Sequence, residues 1–318
     1  MKVYTDIEQL PVFNNAVITI GTFDGVHQGH CKILELLRSE ANRVHGETVI
    51  ITFNPHPRKI VTEKSEKIQL INTIEERALL FEKEGIDRLV IVPFTKAFSE
   101  QSPENYVEQF LYARFRPAVV IIGYDHRFGK NREGDYKLLE TYSSKGLFEL
   151  KEIPQHVISH NAVSSTRIRE KLNSGDIKLA NELLGYSYFF DGIVVRGDQR
   201  GRTIGFPTAN LQVISEDKLI PVNGVYAVQV KIATADGKFP DKPLNGMMNI
   251  GVRPTVDGTR KTIEVHLFNF SEDIYGKTLR VYLEHFIRPE QKFSGLDALK
   301  AQLARDQEET LKLLSNTH

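Results

Sequence analysis

What is scarce in this chain of 318 residues narrows it before any motif is read. It has one cysteine, Cys31, so neither an internal disulfide nor a cysteine-built metal site can form. Placed directly after His30, that thiol reads as a semi-buried helical residue. There is no excess charge either: 41 Lys and Arg face 41 Asp and Glu. Without a net field the chain has no long-range pull toward nucleic acid or an anionic membrane surface, and any anion must be held by local geometry. No apolar run comes near the roughly 20 residues of a membrane span. No basic stretch with an apolar core opens the chain as a secretory signal would. Repeats, low-complexity tracts and a long flexible linker are missing too. The expectation is a cytoplasmic protein with no nucleic-acid and no membrane partner; nothing in the pattern fixes an oligomeric state.

What is present is ordinary globular composition, 41% hydrophobic and 26% charged, in a chain long enough for two domains. Residues 16–20 read as a buried strand, and 30–45 place Ile33, Leu34, Leu37, Ala41 and Val44 at helical spacing, with Gly46 as the stop. Further strands fall at 48–53, 88–93, 118–122 and 148–152. Between them lie a helix opened by the capping box Thr73-x-x-Glu76, one introduced by Ser102-Pro103, and one from about 135. Short apolar strands separated by amphipathic helices predict βαβ units and a doubly wound parallel sheet. Helix signals at 165–173 and 177–184 close this half, residues 1–184. From 185 to 318 the texture changes to period-two runs at 224–232, 262–268 and 279–286, punctuated by Gly, Pro, Asn and Asp. A last amphipathic helix spans 294–315, where Ser294-x-x-Asp297 would cap it. The pattern predicts an antiparallel barrel or sandwich with a terminal helix.

The chemistry of the first half gathers at strand ends, where open α/β sheets bind ligands. "GTFDGVHQGH" (21–30) joins the first strand to its helix. Its glycines permit a sharp turn, the helix N-terminus favours an anion, and His27 and His30 share the first turn. The plain alternative is a glycine turn with two solvated histidines. Asn54 ends the second strand, "GYDHRFGKNREGD" (123–135) follows a later one with Asp125 and Arg127, and "VSSTRIRE" (163–170) sets Ser164, Ser165, Thr166 and Arg167 at a helix start. Singly these read as a turn, a basic surface loop and a helix cap; together they arrive in order at successive strand ends.

His-x-Gly-His followed far downstream by Ser-Ser-Thr-x-x-Arg resembles the HIGH-type nucleotidyltransferases. More narrowly, "GTFDGVHQGH", "TFNPHP", "GYDHRFGKNREGD" and "SSTRIR" are similar to the FMN adenylyltransferase (FAD synthetase) half of the bacterial bifunctional riboflavin kinase/FAD synthetase family. The resemblance implies a Rossmann-like domain over 1–184 that joins the phosphate of FMN to the α-phosphorus of ATP and releases pyrophosphate. It implies ATP contacts from Gly21, Phe23, His27, Gly29, His30, Ser164, Ser165, Thr166 and Arg167, with His27, His30 and Arg167 easing charge on the leaving pyrophosphate. FMN would meet Asn54, Asp125 and Arg127; His126 stands where the family more often has Phe.

In the second half "GDQRGRTIGFPTAN" (197–210) could wrap phosphates with Gly197, Gly205 and Arg202, or be a glycine-rich hairpin with solvated arginines. Thr208 and Asn210, two apart, would point the same way on an extended chain and offer oxygen ligands to Mg²⁺. In "TIEVHLFN" alternation sets Glu264 and His266 opposite Ile263, Val265 and Leu267, which makes Glu264 a surface ion or a general base. Here "GRTIGFPTAN", "NGVYA", "MNIGVRPT", "EVHLFNF" with "DIYGK", and "FIRPEQKF" follow the order of the riboflavin kinase domain of the same family. That resemblance implies a β-barrel over 185–318 that converts riboflavin and ATP to FMN and ADP, so that the whole chain leads to FAD. Thr208 and Asn210 would hold Mg·ATP, Glu264 would take the proton of the ribityl 5′-hydroxyl, and Arg288 and Glu290 would lie at the flavin side.

Overall fold

The computed structural model describes residues 1–61, 68–153, 163–197, 201, 204–255 and 258–315, with backbone alone at 253–255 and 258–260. Two compact units divide the chain, Met1–Ser165 and Thr166–His318.

In the first unit β1 (Lys2–Tyr4), β2 (Val17–Ile20), β3 (Thr48–Asn54), β4 (Arg88–Pro93), β5 (Val119–Gly123) and β6 (Glu149–Ile153) form one sheet in the order β1-β4-β3-β2-β5-β6. Every neighbouring pair is parallel. Helices α1 (Gln28–Val44), α2 (Ile74–Lys83) and α3 (Tyr136–Ser144) are among the connections. Both faces of the sheet are covered, which is why its strands read as continuous apolar runs. Alternate residues feed two separate cores: Ile18, Ile20, Val49 and Ile51 go to one, Val17, Ile50, Val119 and Ile121 to the other. The chain runs from β2 through β3 to β4 on one side, then returns to β5 on the other. That reversal opens a crevice at the carboxyl ends of β2 and β5.

The local signals mostly behave as their chemistry requires. Thr73 and Glu76 form the reciprocal capping box of α2, and Ser102 caps the turn that begins at Pro103. Gly46 acts differently from the expectation. The left-handed residue ending α1 is His45, at φ 51°, while a Cβ on Gly46 would sit 2.0 Å from the carbonyl oxygen of Asn15. The glycine is there for close backbone approach, not for a helix stop. Strand β1 was not foreseen, because three residues on a sheet edge are too few to show a period.

In the second unit α4 (Ser165–Ser174) and α5 (Ile177–Leu184) precede six strands: β7 (Phe189–Val195), β8 (Ala209–Val213), β9 (Gly224–Ile232), β10 (Leu244–Thr255), β11 (Gly258–Leu267) and β12 (Thr278–Arg288). They close into an antiparallel barrel in the order β10-β11-β8-β7-β12-β9, which decides between barrel and sandwich. Cross-strand row Val194, Leu211, Ile263 and Ile250 is buried inside it. The terminal helix α6 (Leu296–Ser315) follows. Helix α5 belongs to this unit by packing: the Asn181 side chain donates to Leu283 O at 2.8 Å and accepts from Tyr188 N at 2.8 Å. Residue 184 therefore marks where strand pattern begins, and packing changes earlier, at 165.

Candidate active sites

The loop after β2 is wound tightly. Phe23, Gly25 and Val26 all have positive φ, at 48°, 96° and 35°, which is costly for the two that carry side chains. Gly29 leaves room for the His27 ring, since a Cβ there would sit 3.2 Å from it. His27 is the N-cap of α1, and its Nδ1 accepts from His30 N at 3.3 Å. An accepting Nδ1 fixes the proton on Nε2, which leaves that N–H to donate. The two rings stack with centroids 3.7 Å apart and planes 11° apart. Burial pulls His27 from 6.5 down to about 4, although the Asp24 carboxylate favours the charged form. His30 is held well below the usual range by burial, by His27 and by the Arg77 guanidinium. Both imidazoles are thus neutral at pH 7. They offer hydrogen bonds rather than charge.

Around them, Ser165, the last residue of the first unit, donates to Asp24 O at 2.7 Å. Asp24, 3% exposed, accepts from Asn72 N at 3.1 Å. The guanidinium of Arg77 on α2 is buried beneath the loop and donates to Thr22 O and, at 2.9 Å, to Thr52 Oγ1, joining the ends of β2 and β3. Phe23 packs edge-on against Phe81 and His30, so its ring supports the loop from below. Ser164, Thr166 and Arg167 lie at the start of α4. Gly21 precedes the turn with the Phe23 ring 3.0 Å from where its Cβ would be. Asn54 and Asp125 stand exposed at the ends of β3 and β5, whereas Arg127 is paired with Asp135, the N-cap of α3, at 3.0 Å.

On the outer face of the barrel, Glu264 of β11 is in register with Asn210 of β8 on one side and Asn249 of β10 on the other. Thr208 Oγ1 approaches Glu264 Oε2 at 3.4 Å. Gly197 is required by Asn210, whose Nδ2 would lie 2.2 Å from a Cβ there. His266 binds Pro207 O at 2.7 Å and so pins the strand carrying the carboxylate to the segment carrying Thr208. Gly205 turns at φ 84° in open space. Arg202 lies outside the described residues.

Residues 10–167 match the family model of FAD synthetase, and 184–314 that of riboflavin kinase. The bifunctional riboflavin kinase/FMN adenylyltransferase of Listeria monocytogenes is 37% identical over 93% of this chain and 91% of its own. The chain belongs to the bifunctional riboflavin kinase/FMN adenylyltransferase family. The Escherichia coli member is 38% identical over 92% of this chain and 90% of its own. A crystal structure described as a macrolide-efflux protein of Streptococcus pneumoniae superposes with a TM-score of 0.85 at 30% identity, covering 97% of this chain and 98% of that one. Among the described residues no helix here is long and apolar enough to cross a membrane.

In the barrel unit Arg288, expected at the flavin side, is held within the fold. The Arg288 guanidinium is bound by Asp306 of α6 through Nε at 2.9 Å and Nη2 at 2.7 Å, and also donates to Pro289 O. Asp306 is 1% exposed, so this pair is a structural latch between β12 and α6. Glu290, by contrast, reaches over Gly251, where a Cβ would meet its Oε1 at 2.4 Å. Sequence reading missed Arg77 and Asn249. Arg77 hides on the apolar side of a helix, and only strand register brings Asn249 beside Glu264.

Proposed function

We propose that the chain phosphorylates riboflavin with ATP on the β8–β11 face of its barrel, and adenylylates the resulting FMN at the crevice between β2 and β5. The reading is supported above all by Glu264, whose Oε2 lies 3.4 Å from Thr208 Oγ1 and which is in register with Asn210. In the kinase reaction Glu264 takes the proton of the ribityl 5′-hydroxyl as its oxygen attacks the γ-phosphorus, and ADP departs. The Thr208 hydroxyl and the Asn210 side-chain oxygen, hard donors on one face, fit Mg²⁺, which keeps most of its waters and phosphate oxygens. When bound, that ion would neutralise charge on the transferred phosphoryl group.

In the adenylyl transfer the FMN phosphate attacks the α-phosphorus of ATP and pyrophosphate leaves. The protein needs no nucleophile of its own. His27 Nε2–H, His30 and the helix N-terminus hold the departing phosphates by hydrogen bonds, and Arg167 supplies the charge that neutral imidazoles do not. Asn54, Asp125 and Arg127 lie toward the FMN end. Balanced net charge gives the chain no long-range pull toward nucleic acid.

Incubation with riboflavin, ATP and Mg²⁺, followed by chromatography, should yield FMN and then FAD. Glu264→Ala should abolish FMN formation and still convert supplied FMN; His30→Ala should do the reverse. Kinase turnover surviving in the first variant, or unchanged FAD synthesis in the second, would remove that residue from its role.

A further inference from the structure

Glu264 has a polar neighbour on each side in the barrel wall, and only one of them is used above. On the β8 side stand Asn210 and Thr208; on the β10 side stands Asn249. Register partners of antiparallel strands point to the same face. Ile250 and Ile263, next to Asn249 and Glu264 in sequence, are buried inside the barrel, so Asn249 shares the outer face with Glu264. Asn249 is half-buried. Its Nδ2 lies 3.2 Å from the position of a Cβ on Gly251, on which Glu290 Oε1 also converges. The amide therefore has one carboxylate across the strand pair and a second beside it.

In-line phosphoryl transfer puts the entering hydroxyl and the departing ADP on opposite sides of phosphorus. With the ATP side held from β8, the hydroxyl reaches Glu264 from β10, where Asn249 stands. A side-chain amide donates and accepts, as a hydroxyl does. Two neighbouring carboxylates make the same place unfavourable for a phosphate. We infer that Asn249 is a substrate-binding residue of the kinase reaction, its amide holding the polyol chain of the flavin so that the terminal hydroxyl faces Glu264. This rests on Glu264 being the base.

The test uses the full chain with Asn249→Ala and Asn249→Ser, comparing riboflavin with lumiflavin, the same ring system without the polyol. In Asn249→Ala the KM for riboflavin should rise about tenfold, as for one lost hydrogen bond to substrate. Lumiflavin binding, the KM for ATP and FMN adenylylation should stay within twofold of wild type. Asn249→Ser, which keeps a donor and an acceptor, should recover part of the loss. Equal weakening of riboflavin and lumiflavin would mean a packing effect and overturn the inference, as would unchanged riboflavin kinetics or a change confined to ATP. Glu264→Gln is run alongside. If it is inactive as a kinase while Asn249→Ala behaves as wild type, only the role of Asn249 falls; if it remains active, the base assignment falls and this inference with it.

Discussion

Replacing His126 by phenylalanine removes a buried nitrogen that has no hydrogen-bond partner among the described residues. The residue follows β5, half-buried, its ring 5.8 Å from that of Phe128 and its Nε2 sealed from water with no hydrogen bond. An unsatisfied buried polar atom costs about 1–3 kcal/mol, and a phenyl ring puts none there. Burial also pulls the imidazole from 6.5 to about 4, against Asp125 and with a small further push from Arg132. Above pH 6.5 neither the folded nor the unfolded chain carries this proton, and it does not affect stability. Between pH 6.5 and 4 only the unfolded chain binds it, so the native state loses about 1.4 kcal/mol per pH unit, or roughly 2 kcal/mol by pH 5. Below about pH 4 both states are protonated and the loss levels off. His126→Phe should therefore gain about 1–3 kcal/mol at pH 7.5 and roughly 2 kcal/mol more at pH 5. His27 and His30 titrate in both proteins and cancel in the difference. Urea denaturation followed by circular dichroism at the two pH values measures it, since the chain has no tryptophan to report. A difference that does not widen on acidification would refute the reasoning.

Three other perturbations have defined outcomes. Arg288→Ala leaves the buried Asp306 carboxylate without its counter-charge, held only by Gln302 Nε2 at 2.8 Å, and should cost about 3–5 kcal/mol in a thermal or urea melt, whereas the double replacement Arg288→Met with Asp306→Leu should cost far less. Gly197→Ala drives a methyl into Asn210 Nδ2, 2.2 Å away, and should raise the Mg²⁺ requirement of the kinase at least severalfold while FMN adenylylation continues; an unaltered Mg²⁺ titration would refute it. Excess chelator should silence FMN formation, and undiminished turnover there would contradict the roles of Thr208 and Asn210.

Much of the first unit was legible because a parallel sheet buried on both faces writes itself as apolar runs. Strand β4 falls where it was expected, β2 and β3 differ by a residue at one end, and β5 and β6 are shifted by one residue. The barrel was harder. Strand β9 matches its period-two run, but β10 is broken up by two Gly, two Asn and a Pro, β7 does not alternate, and the five alternating residues of β8 are too few to stand out. The motifs named His27, His30, Thr208, Asn210 and Glu264, and the fold sets the two histidines in one loop and the other three side by side in the barrel wall. At Arg288, expected at the flavin side, a linear string does not show the ion pair with Asp306, eighteen positions on. His27 also had more to do than its motif suggests: its capping Nδ1 fixes the tautomer, which only the backbone geometry reveals.

The helices between residues 165 and 184 also bear on how this gene could be divided. Their first turn carries Thr166 and Arg167, which read with the nucleotidyltransferase motifs, yet Asn181 serves the barrel through Leu283 and Tyr188. A break after 184 would leave the kinase with the Tyr188 amide and the Leu283 carbonyl bare and the apolar side of Ala180, Leu183 and Leu184 removed. A break after 165 would part Arg167, proposed above for the leaving pyrophosphate, from the first unit. On that proposal, separate inheritance of the two activities would require both descendants to keep a copy of the same short stretch.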